Sequence, residues 1–172
     1  MGLRTRLLHE VCVRAPGLAV VRSDGVVLLR RHVLLERPAL GIYLHHCAHP
    51  DEASDVFHDH PWAWSAALVL TGGYTEERAA PGQHTRRRDL KPGRVNWIPA
   101  DCFHRIAALP ADGAWTIYVR GRRARADGFL VRTPEGWRHE PSEGSSRERK
   151  VKFKPGDAPV STSRTTGPAS SP

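Results

Sequence analysis

The chain predicts an all-β fold, a single antiparallel sandwich or barrel. Its apolar residues come in short or alternating runs, turn formers separate those runs at close intervals, and helical periodicity is hard to find anywhere in its 172 residues.

In order, Leu18-Ala-Val-Val-Arg22 and Val26-Val-Leu-Leu29 flank Asp24-Gly25, a dipeptide that favours a tight hairpin reversal. Residues 33–40 have the composition of a brief helical turn that Pro38 halts. Ile42-Tyr-Leu44 reads as a strand, and the histidine-rich stretch after it, with His45, His46 and His49, reads as a surface loop ending in turn formers. Further strands are expected at 65–70, 73–77, 94–98, 105–108, 115–119 and 128–131, with Arg86-Arg87-Arg88 in a connecting loop. From Pro141 the composition shifts to Ser, Gly, Pro, Arg and Lys. The domain is therefore drawn as 1–140, followed by a basic tail, 141–172, disordered beyond roughly Lys154.

Composition narrows the function classes. No window approaches eighteen uninterrupted apolar residues, so no membrane span is expected, and the basic start is followed by no apolar run of signal-peptide length. Three cysteines, Cys12, Cys47 and Cys102, are an odd number without metal-finger spacing, which fits reduced thiols and a cytoplasmic location. The net charge of +8 and pI near 10.1 would attract phosphate backbones. The charge is scattered, however, and neither a recognition helix nor an aromatic stacking repeat accompanies it, so nucleic acid is not the expected partner.

The chemistry concentrates in His58-Asp59-His60-Pro61-Trp62. On an extended strand His58 and His60 face one way while Asp59 faces the other, so one strand offers two ligands to one ion. A third imidazole, His104, follows the turn Pro99-Ala-Asp-Cys-Phe and precedes an apolar run. Imidazoles suit Fe, Ni, Cu or Zn in preference to Mg or Ca.

These residues resemble the two motifs of the cupin superfamily. After His60, four residues lead to Ser65 and six more to Gly72, so the first motif's frame is kept, with Ser65 where the family carries a glutamate ligand and Glu52 where it opens on glycine. The second motif falls on Gly93, Pro99, Asp101, His104 and Ala108, its spacing intact and two identities changed. The resemblance runs from about Leu18 to Trp137. It implies a cupin-type barrel or jelly roll that binds a divalent metal through His58, His60 and His104, as in the subset of cupins with three histidines and no carboxylate.

The resemblance further implies an iron(II) oxygenase or dioxygenase acting on a small anionic organic molecule. A metal-assisted isomerase, epimerase or lyase and a non-catalytic ligand-binding cupin are the alternatives. Cys102 or Asp101 would close the coordination shell in the last case. A homodimer is expected by the same resemblance. Candidate substrate contacts are Arg94 and Asn96, which alternate onto one face of their strand, and an aromatic wall of Tyr43, Trp62, Trp64 and Tyr118.

Overall fold

A computed structural model describes residues 8, 10, 12, 14–51, 55–143 and 145–156. Among the described residues thirteen strands make up two antiparallel sheets. They are β1 (Gly17–Arg22), β2 (Val27–Glu36), β3 (Gly41–Cys47), β4 (Val56–His58), β5 (Trp64–Thr71), β6 (Tyr74–Ala79), β7 (Arg86–Leu90), β8 (Val95–Pro99), β9 (Phe103–Ala108), β10 (Ala114–Arg120), β11 (Gly128–Thr133), β12 (Gly136–Pro141) and β13 (Glu148–Phe153). One sheet has the order β13-β1-β2-β3-β10-β5-β8, the other β12-β11-β4-β9-β6-β7. Among the described residues no helix is long and apolar enough to cross a membrane.

The alternation read from sequence is the alternation of burial. In β10 every second residue, Ala114, Thr116, Tyr118 and Arg120, is buried, and in β5 Ser65, Ala67 and Val69 are buried while Leu68 is exposed. The inward sets meet between the sheets. Cys47, Val69 and Ala114 of the larger sheet pack with Tyr74 and Leu90 of the smaller, and burying side chains of the larger of these sizes is worth about 1.5–3 kcal/mol each. A second cluster, Tyr43, Ala67, Ile98 and Tyr118, lies further along the same face.

A buried polar seam joins the sheets at one edge. Asn96 of β8 donates through Nδ2 to Glu76 Oε1 at 2.7 Å and to the Tyr74 hydroxyl at 3.2 Å, both on β6, and accepts from Arg78 Nη2 at 2.7 Å. Polar groups are tolerated at this depth only when partnered, so the seam fixes one relative placement of β8 and β6.

Several elements differ from the sequence reading. Residues 33–36 continue β2 instead of forming a helical turn, because Val33 opposes Tyr43 and Leu35 opposes Ile42 across a β-bulge. His45 and His46 belong to β3, not to a loop, since the full length of β10 pairs with that strand. Arg86–Leu90 is a strand, not a loop, and two of its three arginines face glutamates of β6, Arg88 opposite Glu76 and Arg87 opposite Glu77. Cross-strand charge pairs of this kind supply the pairing preference that apolar residues supply elsewhere.

The segment drawn as tail contributes β13, which pairs with β1 from Gly17–Phe153 to Arg22–Glu148 and sets Val151 against buried Ala19, Val21 and Val27. Its charged residues alternate with Val151 and Phe153, a strand pattern that overall composition conceals. Residues 157–172 of the expected disordered tail lie outside the described residues.

Candidate metal centre

His58 ends β4 and stands directly opposite His104 of β9 in the antiparallel register. His60 lies two residues beyond the end of β4, outside the strand. The one-strand picture thus holds for His58 only. Asp59 nevertheless points away, as alternation requires, and is buried, accepting from the Gly128 amide at 2.7 Å and pairing with Arg125. That carboxylate ties the segment between the two histidines to β11.

The three rings converge. Centroids are 4.6 Å apart for His58 and His104, 5.0 Å for His60 and His104, and 5.3 Å for His58 and His60. One nitrogen from each lies within 4.8 Å of the others. The Nε2 atoms of His60 and His104 are 2.9 Å apart. Two nitrogens bound to one ion at about 2.1 Å and subtending about 90° would sit about 3.0 Å apart, so the His60 and His104 pair is spaced for a single ion approached at near right angles.

Protonation fits as well. Burial lowers the pKa of His104 below the ordinary histidine value, and His60 lies well below it, through burial first and then the neighbouring His104, His58 and Arg31. Neutral imidazole is the ligating form.

The residue that the sequence reading missed is Glu76. Its fully buried carboxylate receives His104 Nδ1–H at 2.9 Å, Arg78 Nε at 2.8 Å and Asn96 Nδ2 at 2.7 Å. Burial alone would raise this carboxyl, but the hydrogen bonds from His104, Arg78 and Asn96, with the charge interactions, outweigh it and hold the group at about 2. An ionised carboxylate only accepts, so the His104 proton sits on Nδ1 and the Nε2 lone pair faces the centre. The cue in the sequence was strand parity: Tyr74, Glu76 and Arg78 share one face of β6 and two of them are charged. Next to His58, Asp51 Oδ2 lies 3.7 Å from Nδ1 and accepts from the Ile106 amide at 2.6 Å.

The larger sheet closes the chamber from the other side. A cavity of about 100 Å³ is lined by the three histidines, by Arg31, His45, Cys47, Thr116 and Tyr118, and by apolar residues including Leu28, Leu29, Ala67 and Ile98. It shares Leu28, Leu29, Arg31, Asp51, His58 and His60 with an outer cleft of about 520 Å³ that extends past Trp62 and Arg123 to Glu148 and Lys150.

The expected substrate contacts separate on this map. Tyr118 lines the chamber, 5.7 Å from the His60 ring, with its phenol pushed up to about 12 by burial. Trp62 lines the outer cleft beneath the Arg120 guanidinium, 4.3 Å from its ring. The others lie elsewhere. Trp64 stacks on Trp97 at 5.4 Å, and Arg94 is an exposed residue just before β8. Asn96 is consumed by the Glu76 seam. The Tyr43 hydroxyl bonds Glu36 and accepts from Arg120 Nε at 3.1 Å. Cys102 is half-buried with its thiol raised to about 11 by burial, Asp101 is exposed, and neither belongs to the cluster of three histidines. His45, read as a loop residue, is buried in the chamber wall.

No protein-family model and no curated protein matches the sequence. Solved structures do. An iron(II) HppE in complex with substrate is similar over 62% of this chain and 56% of its own, at 20% identity and a TM-score of 0.51. The hydroxypropylphosphonic acid epoxidase from S. wedmorenis matches over 60% of this chain and 55% of its own, at 17% identity and a TM-score of 0.46. A cupin superfamily protein from Desulfitobacterium hafniense matches over 55% of this chain and 77% of its own, at 18% identity and a TM-score of 0.40. The chain thus spans little more than half the length of the first two. At such identities the likeness is one of fold. Two facing antiparallel sheets, with three convergent histidines brought together by the His-x-His segment and the strand after the second motif's turn, give this chain a cupin-type double-sheet fold shared with the HppE structure.

Proposed function

We propose that His58, His60 and His104 bind a divalent metal, with iron(II) the expected ion and nickel, copper or zinc the other candidates, and that the protein is an oxygenase of a small anionic organic substrate. The observation that carries the reading is the set of three imidazoles whose donors lie within 4.8 Å of one another, one of them oriented by a buried carboxylate. The iron(II) of the HppE structures that share the fold supports the choice of ion. A metal held by three protein ligands supplies Lewis acidity and oxygen activation at the positions left free.

The residues divide the remaining tasks. Glu76 keeps a proton on His104 Nδ1 and fixes the ring plane. Leu28, Leu29, Ala67 and Ile98 keep water from the chamber, which strengthens every charge interaction inside it. Trp62 borders the route from the outer cleft. With reduced, burial-protonated thiols at Cys47 and Cys102, the protein is proposed to work in the cytoplasm.

A second reading is a metal-assisted isomerase or lyase in which the Tyr118 hydroxyl moves a proton, favoured by the burial of that phenol within the chamber. Metal content and oxygen uptake discriminate. Iron at one per chain, lost in the His58→Ala/His104→Ala double variant, with uptake driven by a small carboxylate, is the expected result. Metal that survives the double variant refutes the centre, and turnover of substrate without oxygen consumption favours the second reading.

A further inference from the structure

The chamber holds a cation that none of the described carboxylates neutralises. Arg31 stands opposite His45 in the β2–β3 register, and its Nε donates to His45 Nε2 at 3.0 Å. Its guanidinium carbon lies 4.9 Å from the Tyr43 ring centroid and 5.7 Å from that of Tyr118. Among the described residues no carboxylate pairs with it. Glu36 is engaged with Arg120, Glu76 with Arg78 and His104, and Asp51 accepts from the Ile106 amide beside His58. Desolvation lowers the pKa of Arg31, and only Tyr118 and Tyr43 oppose that shift.

A guanidinium in water needs no partner, but one turned into a largely apolar chamber carries a desolvation cost that an incoming anion offsets. The fork geometry is also preset. Nε is fixed on His45, and His45 is itself held flat against Tyr118, centroids 4.6 Å apart and 15° between planes. The terminal nitrogens of Arg31 are left for a ligand. Arg31 borders both the inner chamber and the outer cleft, so it is met by any molecule that passes from one to the other.

We infer that Arg31, positioned by His45, is the anchor for a carboxylate group of the substrate, whose remaining atoms reach toward His58, His60 and His104. The anion is a monoanionic carboxylate and not a phosphate, because among the described residues Arg31 is the sole guanidinium or ammonium group lining the inner chamber. A planar two-oxygen acceptor also matches the fork of a guanidinium. This deepens the functional reading above and rests on the same chamber.

The test is calorimetric titration of acetate, propanoate and benzoate, each beside its neutral amide and beside inorganic phosphate, into the metal-supplemented protein, its Arg31→Gln variant and its Arg31→Lys variant. Wild type is expected to bind at least one carboxylate about 10-fold or more tightly than the amide. In Arg31→Gln that preference disappears while the amide is unaffected. Should Arg31→Gln fail to fold, Arg31→Lys carries the test: it keeps a charge and loses the fork, so the carboxylate is expected to weaken and the amide to hold.

An unchanged carboxylate affinity in a folded variant, tighter binding of phosphate than of any carboxylate, or no saturable carboxylate binding by wild type would each overturn the inference. Metal content of the same samples keeps the two readings apart. Arg31-dependent carboxylate binding by a protein that takes up no metal refutes the metal centre alone, and intact metal with no role for Arg31 refutes the anchor alone.

Discussion

Replacing Glu76 by glutamine keeps the shape of the side chain and removes its charge. Three donors meet this carboxylate, His104 Nδ1 at 2.9 Å, Arg78 Nε at 2.8 Å and Asn96 Nδ2 at 2.7 Å. A hydrogen bond to a charged group contributes about 1.5–3 kcal/mol and a neutral one about 1, so neutralisation removes about 1 kcal/mol from each. The geometry adds a second cost. Oε1 faces both Asn96 and His104 while Oε2 faces Arg78, so whichever oxygen becomes an NH₂ group confronts a donor, at about 1–3 kcal/mol. Relief of the buried charge returns part of this. The net expectation is a loss of about 3 kcal/mol, or about 6–12 °C in Tm for a chain of this size. Metal affinity should fall about 10–100-fold, because the bond that orients His104 is lost. Urea unfolding of the metal-free variant and competitive metal titration of the folded form measure the two effects separately. A variant within about 0.5 kcal/mol of wild type, the margin typical of surface sites, with unchanged metal affinity, would refute the role given to Glu76.

Alkaline stability should be governed partly by Cys47 and Tyr118. Burial raises both in the folded state to about 12, above the ordinary 9.0 and 10.0, so stability is full below pH 9 and declines as pH rises from there toward 12, and Cys47→Ala should flatten the first part of that decline in pH-dependent urea midpoints. Gly72 and Gly25 both have positive φ, 78° and 90°, but a Cβ at Gly72 would lie 2.3 Å from the Gly113 carbonyl oxygen while one at Gly25 meets nothing within 4 Å. Gly25→Ala should therefore cost about 1 kcal/mol and Gly72→Ala at least about 2, and equal costs in denaturant titration would show that crowding is not what distinguishes them. Trp62→Ala, at the cleft, should weaken ligand binding by calorimetry, whereas Trp64→Ala, stacked on Trp97 away from the chamber, should lower stability and leave binding unchanged.

What the sequence made legible was whatever alternation or motif spacing encodes. The apolar strands at 18–22, 65–70 and 115–119 announce themselves because one face is buried and the other wet. The triad is legible because its spacing is a frame, not a composition. Illegible features depend on partners distant in the chain. β7 and β13 are rich in arginine and lysine, and they are strands only because β6 offers Glu76 and Glu77 and because β1 offers an apolar row with an open edge. His45 reads as a loop residue until β10 is known to pair along the whole of β3. Strand parity marks Glu76 as facing inward, but nothing in its strand shows that a histidine 28 positions later donates to it. Arg94 and Asn96 show what parity alone leaves open. They share parity, but one stands before the strand and the other is spent on structure.

The pairing of β1 with β13 has a consequence for synthesis. On the ribosome β1 is among the first strands made, and the strand that covers its outer edge is made last of all the described elements. Throughout elongation β1 and β2 can form their hairpin, but the outer edge of β1 exposes unpaired amides and carbonyls next to a Leu18–Val21 apolar row. The nascent chain is therefore most prone to pair with its neighbours just before β13 is made, and a chain stalled short of residue 148 should be sedimentable where one stalled beyond residue 153, with enough linker to clear the exit tunnel, is not.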